Sequence, residues 1–402
     1  MAEIEVPQYF VCPISLQIMK DPVTAMTGIS YDRESIEQWL MTAKNCTCPV
    51  TKQPLPRDSD LTQNHTLRRL IQAWCSENGV DRIPTPRPPL EKTHFQKLIR
   101  DLDVPQFHQS TLEKMHALAS ENERNRRYMA EAGVANAMVP LIIKSFKQGN
   151  TSSLEEALII LRLLWSEPTL KLLINENSDF INSLTWILQH HLDDNVKLVN
   201  EAMPILNSAI EISNSTLLSN LKLEFFKEIT RVLRRRAVSQ QALKSALHAL
   251  IETCPLGRNR IKIVEAGAVF DLIELELEKP EKNITELIFI LLAQLCSCAD
   301  GREQFLKHAA GIAMLSKRIL RVSPTTDDRA VHTLALIAKC SASMVFVKEM
   351  LRVGAVSKLC MVMQADCASY LKESARQILK LHSKTWNDSP CIQLYLLTRD
   401  QR

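Results

Sequence analysis

Five cysteine and histidine side chains in the first 80 residues have the chemistry to hold a metal: Cys12, Cys46, Cys48, His65 and Cys75. Tetrahedral zinc takes thiolates and imidazoles, and proteins supply them as pairs at short spacing. Here the pairs are broken. Three residues after Cys12 stands Ser15, and three after Cys48 stands Thr51. Cys46 and Cys48 are two apart, a poor chelating pair. No structural zinc is expected, and the plain reading of these cysteines is small, buried hydrophobes. Nor do they read as nucleophiles, since nothing beside them supplies the base and orienting group that an activated thiol needs.

The segments around these residues still carry the signals of a folded unit. FVCPISLQIMKDPV (10–23) and CPVTKQPL (48–55) read as two loops. TGISYDRESIEQWL (27–40) has a glycine turn, a β-prone step and then a helix. Asp32 is placed to cap that helix, and Ile36, Trp39 and Leu40 share one face. NHTLRRLIQAW (64–74) starts a second helix at Asn64, with Leu67, Leu70, Ile71 and Trp74 along one face. Hydrogen bonds and ion pairs among Asp21, Tyr31, Asp32, Arg33, Glu37, Thr51 and Lys52 are expected to hold the loops where a metal would have. The sequence does not say which pairs with which.

The remaining chain is of another kind. PTPRPPLEK (84–92) carries four prolines and cannot continue a helix, so it reads as a semi-rigid linker. Beyond it, NRRYMAEAGVANAMVPLI, NRIKIVEAGAVFDLIELE, REQFLKHAAGIAMLSKRI and VFVKEMLRVGAVSKLCMV repeat one plan: a short helix, a glycine, a second helix. Gly133, Gly267, Gly311 and Gly354 are 134, 44 and 43 apart. The first gap holds three units, with glycine-free boundaries near Asn177 and Leu221. A period in the low forties with three helices is the armadillo or HEAT pattern.

The third helix of each unit shows an apolar face at spacings of three and four. One such face is Leu154, Ala157, Leu158, Leu161 and Trp165; another is Ala242, Ala246, Leu247 and Leu250. Leu287, Ile290, Leu291 and Leu295 form a third, and Val331, Leu334, Ala335 and Ala338 a fourth. Such helices stack into a superhelix. KESARQILKLH (372–382) is a last unit and CIQLYLLTRDQR (391–402) a cap or tail.

Composition agrees. The 402 residues are 46% hydrophobic with only 9 glycines, which leans helical. A net charge of +4 does not call for nucleic acid. Eleven scattered cysteines make no disulfide framework and suit a reducing compartment. No signal peptide is visible in MAEIEVPQYF, and no apolar run is long enough to span a bilayer. A cytoplasmic protein is expected, with the nucleus or a membrane surface as alternatives.

FVCPISLQIMKDPV, TGISYDRESIEQWL, CPVTKQPL and LTQNHTLRRLIQAW resemble, in order and spacing, the U-box of ubiquitin ligases. That family adopts the RING shape without metal. Gln63 departs from the family, which usually has proline there, and is expected to be tolerated. A U-box, a proline-rich linker and armadillo repeats together resemble the short plant U-box ligases of stress and immune signalling. The expected fold is mainly α: a small α+β zinc-free U-box (5–80), a linker (81–92) and an α-solenoid of about six armadillo units (93–402).

The resemblance implies an E3 ubiquitin ligase that forms no covalent intermediate of its own. It docks a ubiquitin-charged E2 conjugating enzyme, and a lysine of the substrate attacks the thioester. Ile14, Leu16, Trp39 and Pro49 are then the E2 platform, and Lys52 positions E2 and ubiquitin. Cys12, Asp21, Tyr31, Asp32, Arg33 and Asn64 are expected to maintain the U-box fold. No cofactor is implied. The partners are E2, ubiquitin and a protein substrate in the armadillo groove, with self-association open. A Trp-x-x-x-Asn ladder is absent, since Thr169 follows Trp165 and His190 follows Trp186 at that spacing. The clusters Arg124, Arg126, Arg127 and Arg234, Arg235, Arg236 read as solvated helix faces, with an acidic partner or membrane lipid as the alternative. The competing function is a non-catalytic armadillo scaffold with a degenerate U-box.

Overall fold

The computed structural model describes residues 6–42, 47–56, 59–78, 92–102, 104, 106–340, 343–386, 389–390 and 392–394. Cys46, most of the 81–92 linker and most of the 391–402 tail lie outside the described residues. The chain divides into two compact units, Met1–Leu90 and Glu91–Arg402.

The first unit is built on a three-stranded antiparallel sheet of order β2-β1-β3: β1 (Pro22–Thr24), β2 (Ser30–Asp32) and β3 (Thr62–Gln63). Gly28, at φ 79°, makes the β1–β2 turn, a conformation that only glycine adopts without strain. Helix α1 (Arg33–Thr42) follows β2 directly, and α2 (His65–Glu77) follows β3. Val23 and Tyr31, paired across β1 and β2, are fully buried with Ile36 of α1 and Ile71 of α2. Two expectations change here. Leu70 does not join the α2 core face; it is exposed, and Cys75 takes its place inside. Asp32 stands at the start of α1, but its Oδ1 turns back to accept the N–H groups of Lys20 and Asp21, both at 2.8 Å.

The second unit is helical throughout its described residues. It opens with α3 (Lys92–Asp101) and α4 (His108–Glu121). Six triplets follow. The first is α5 (Glu123–Glu131), α6 (Val134–Gln148) and α7 (Leu154–Leu163). The second is α8 (Glu167–Glu176), α9 (Asp179–His191) and α10 (Val196–Ile212), and the third α11 (Ser215–Ser219), α12 (Leu223–Arg234) and α13 (Gln240–Thr253). Next come α14 (Gly257–Glu265), α15 (Ala268–Leu277) and α16 (Lys282–Leu295), then α17 (Ala299–Lys307), α18 (Gly311–Arg318) and α19 (Pro324–Cys340). The last is α20 (Met344–Arg352), α21 (Ala355–Gln364) and α22 (Ser369–Leu381), closed by α23 (Ser383–Trp386). Third helices pack in one row, α4 to α22, and second helices in another, α3 to α21. The glycine-free boundaries fall between α8 and α9 and between α11 and α12, as the period required.

Gly133, Gly267 and Gly354 adopt the left-handed conformation between first and second helices. Gly311 does not. It starts α18, where a Cβ would lie 3.0 Å from the carbonyl oxygen of Phe305 and 3.1 Å from its ring, so it serves close packing. Gly301 in α17 is tighter still, since a Cβ would sit 2.0 Å from the Leu295 carbonyl oxygen. Gly301→Ala should therefore destabilise the repeats by about 3 kcal/mol, read in a denaturant titration, because backbone must move to admit one methyl group.

The expected third-helix faces are largely buried, with changes at Trp165, which lies beyond the end of α7 and is half-buried, at Ala335 of α19, which is also half-buried, and in α16. In α16 the inward residues are Ile284, Ile288, Leu291, Leu292 and Leu295, whereas Leu287 and Ile290 are only half-buried. Polar ties between neighbouring triplets recur about one period apart. Asn259 donates to the Leu218 carbonyl at 2.9 Å, and Asn200 accepts the Ser239 N–H at 2.8 Å. Arg162 meets Glu201 at 2.6 Å, and Arg234 meets Asp271 at 2.7 Å.

Candidate functional site

The broken metal pairs form two copies of one loop. Cys12-Pro13-Ile14-Ser15-Leu16-Gln17 and Cys48-Pro49-Val50-Thr51-Lys52-Gln53 match position by position. In each, the cysteine N–H donates to the glutamine carbonyl, at 2.8 Å in both loops. The fifth residue's N–H donates back to the cysteine carbonyl, at 2.9 Å for Leu16 and 3.0 Å for Lys52. Those fifth residues hold φ of 57° and 61°, a left-handed conformation uncommon for such side chains. The flanks close through bridges between Val11 and Ile18 and between Thr47 and Pro54.

The sulfurs anchor these loops to one strand. Cys12 Sγ accepts the backbone N–H of Asp32 at 3.2 Å. Cys48 Sγ lies 2.9 Å from the Tyr31 hydroxyl and accepts from the Thr27 hydroxyl and the Thr51 N–H, both at 3.4 Å. Both sulfurs are fully buried, and Tyr31 and Asp32 are consecutive in β2, so the two loop roots meet there. Burial alone would push the Cys48 thiol up, but the hydroxyls of Thr27, Thr51 and Tyr31 outweigh it and bring it to about 6. Cys12 is also lowered: burial opposes this, and the N–H groups of Ser15, Asp32 and Ile14 override it. Tyr31 is raised by burial and by its bond to Cys48, so its hydroxyl keeps its proton and donates. These cysteines are thus acceptors at the hub of a polar network, more than the small hydrophobes their spacing suggested. Among the described residues no group of three His, Cys, Asp or Glu side chains is arranged to hold a metal ion.

The other fold-maintaining residues converge on the same frame. Arg33 Nε donates to Asp21 at 2.6 Å, and the guanidinium approaches Glu37 at 3.7 Å. Gln63 Nε2 donates to the same Asp21 carboxylate at 3.1 Å, so the residue that departs from the family pattern joins the network. Asn64 accepts the Leu67 N–H at 3.0 Å as the cap of α2, and its Nδ2 reaches Thr24 and Ser30, each at 3.3 Å. Asn64→Ala should cost the first unit about 2 kcal/mol, with the cap supplying about half. Hydrogen exchange of the α2 amides checks this.

The loop tips are apolar and outward. Leu16 is 77% exposed and Val50 48%. Ile14, Pro49 and Trp39 are half-buried, and Ile14 and Trp39 pack against the one core. Trp39 Nε1 donates to the Thr47 carbonyl at 3.0 Å, pinning the second loop to α1. Lys52 Nζ donates to the Pro49 carbonyl at 2.9 Å, within its own loop. Val50 is the residue sequence reasoning missed. Its signal was the shared Cys-Pro-x-Ser/Thr-x-Gln pattern, which makes it the counterpart of Ile14.

The basic clusters are not simply solvated. Arg235 pairs with Asp193 and Arg236 with Glu278, both across repeats, as Arg234 does with Asp271. Arg124 and Arg127 lie over the Tyr128 ring, at 5.5 and 5.6 Å from its centre, and Arg126 pairs with Glu123 at 2.6 Å.

Two family models match this chain: a U-box domain over residues 6–80 and a plant U-box protein ARM repeat region over residues 95–402. The chain is 44% identical over 400 residues to E3 ubiquitin-protein ligase PUB23 of Arabidopsis thaliana, covering 97% of this chain and 96% of that one. It is 39% identical to E3 ubiquitin-protein ligase PUB22 of the same plant, over 97% of each chain. With E3 ubiquitin-protein ligase PUB24 it shares 41% identity, over 99% of this chain and 96% of that one.

Proposed function

We propose that this chain, which belongs to the plant U-box proteins with an ARM-repeat region and is a RING-type E3 ubiquitin ligase, docks its charged E2 on Ile14, Leu16, Trp39, Pro49 and Val50. The observation that carries this is the exposed leucine on a left-handed backbone at the tip of a loop held rigid from below. A large apolar side chain displayed to water this way fits a small, transient interface with an anchor residue. The ligase supplies position: it holds the thioester in a reactive pose, and the orientation entropy is met before the lysine attacks.

Lys52 takes the positioning role in this reading, moving its ammonium from the Pro49 carbonyl to the E2–ubiquitin pair. The row of third helices, α4 to α22, recruits the protein substrate. Action in the cytoplasm and in stress or immune signalling belongs to the same reading and rests on the motif resemblance.

An assay with E1, a promiscuous E2, ubiquitin and ATP tests it. Ubiquitin chains should form on the ligase itself; their absence would favour a non-catalytic scaffold.

A further inference from the structure

The geometry points to a crevice beside α16 and α19, formed around Arg260, Gln294, Arg329 and His332, that takes an acidic side chain from an extended segment of the substrate protein. This inference rests on the reading that the repeats recruit the substrate.

The crevice measures about 250 Å³, and its lining contains two arginines and a histidine but no carboxylate. Arg260 comes from α14 and, among the described residues, has no carboxylate within 4.0 Å. It contacts the Cys254 thiol, which burial pushes up to about 11, so the thiol is neutral near pH 7 and leaves the guanidinium charge uncompensated. Arg260 Nε and Gln294 Oε1 are buried without a hydrogen-bond partner. Among the described residues, the only carboxylate within 4.0 Å of Arg329 is that of its chain neighbour Asp328, at 3.6 Å.

A second, larger crevice of about 530 Å³ shows the contrast. It is lined by Arg234, Arg235 and Arg236, and each of these is paired with a carboxylate across the repeat boundary. That crevice is neutralised from within; the one at Arg260 is not. A buried donor without a partner is costly, and a carboxylate placed there gains charge-assisted hydrogen bonds from a planar guanidinium. Ile290 and Ala293 give the crevice an apolar wall for the methylene stem of a glutamate. Gln294 Oε1, an acceptor without a partner, belongs to the same wall.

Fluorescence anisotropy on the full chain at 0.15 M salt tests this with labelled octaglutamate, octaserine and octalysine. Octaglutamate should bind at least tenfold more tightly than the other two. The double variant Arg260→Gln/Arg329→Gln should lose at least tenfold of that binding, and Arg329→Glu, at an exposed side chain, should lose as much if the double variant misfolds. The pair Arg234→Gln/Arg236→Gln should stay within twofold of the parent. Equal binding by parent and crevice variants, or an equal loss in the control pair, overturns the proposal. Discharge of the charged E2, followed in the same samples, reports on the ligase reading separately: it should be unchanged in every variant, and its absence would not alter the peptide result.

Discussion

Leu16→Asp is expected to slow ubiquitin-chain formation by roughly thirtyfold or more, the loss of about 2 kcal/mol typical of an interface anchor. Its melting temperature should match the parent's. The side chain is mostly in water, so no core is lost, and aspartate tolerates the left-handed backbone at this position better than most residues. The loop's own hydrogen bonds, from the Leu16 N–H to Cys12 and from the Cys12 N–H to Gln17, involve only backbone and survive the change. Trp39→Ala is a poorer test of the same face. The indole also holds the Thr47 carbonyl and packs on the core, so its removal mixes docking with loop placement. Chain formation by gel, beside a thermal melt, separates the two effects. Unchanged activity in Leu16→Asp would remove the first loop from the docking surface.

The second large effect lies below the surface. Cys48→Ala should destabilise the first unit by about 3 kcal/mol, since it strands the buried Tyr31 hydroxyl and weakens the holds on Thr27 and Thr51. The parent should also gain stability as pH rises from about 6 towards 9. The folded Cys48 releases its proton near 6, while the unfolded thiol keeps it up to its ordinary value of 9.0. Between those values the unfolded state binds more protons, so folding is favoured as pH rises. The contribution is fully present above about 9 and is lost as pH falls through 6. Hydrogen exchange of the β1–β2 amides at pH 6 and pH 9, corrected for the intrinsic rate, reads it. Cys48→Ala should remove the Cys48 share of this pH dependence, leaving only that of Cys12, whose thiol is also lowered, as well as lowering the protection.

The helical part of this architecture was legible because each third helix must bury one face, and burial imposes a period on the sequence. The boundaries near Asn177 and Leu221 followed from that period even without glycine. Leu287 and Ile290 misled because α16 is apolar on its open side too, and periodicity alone cannot separate inward from outward leucines. Gly311 shows another limit: a glycine kept for space and a glycine kept for its left-handed backbone look alike in one sequence.

In the first unit the helices, the α2 cap and the outward loop residues could be read. The pairings could not. Asp32 has the right type and place for a cap, yet its carboxylate serves the first loop, a choice made by three-dimensional proximity. The cysteines read as small buried hydrophobes because the metal pattern was broken, while the donors that hold them, Tyr31, Thr27 and the Asp32 N–H, come from 17 to 21 residues away. The repeated six-residue loop was present in the sequence, and comparing the two segments directly reveals Val50. The ion pairs between repeats were hidden by the number of charges that share each helix face.

In the proposed function, a loop pair held by hydrogen-bonded cysteine sulfurs presents a docking face that activates a charged E2. Single-turnover discharge of an E2–ubiquitin thioester to free lysine tests this most directly. It is measured with the full chain, with Leu16→Asp, and with the full chain after treatment with a strong zinc chelator. Clear acceleration by the parent chain is expected, with the same acceleration after chelation and a rate near that of E2 alone for Leu16→Asp. A parent chain that does not accelerate discharge, or one that loses its effect on chelation, would contradict it.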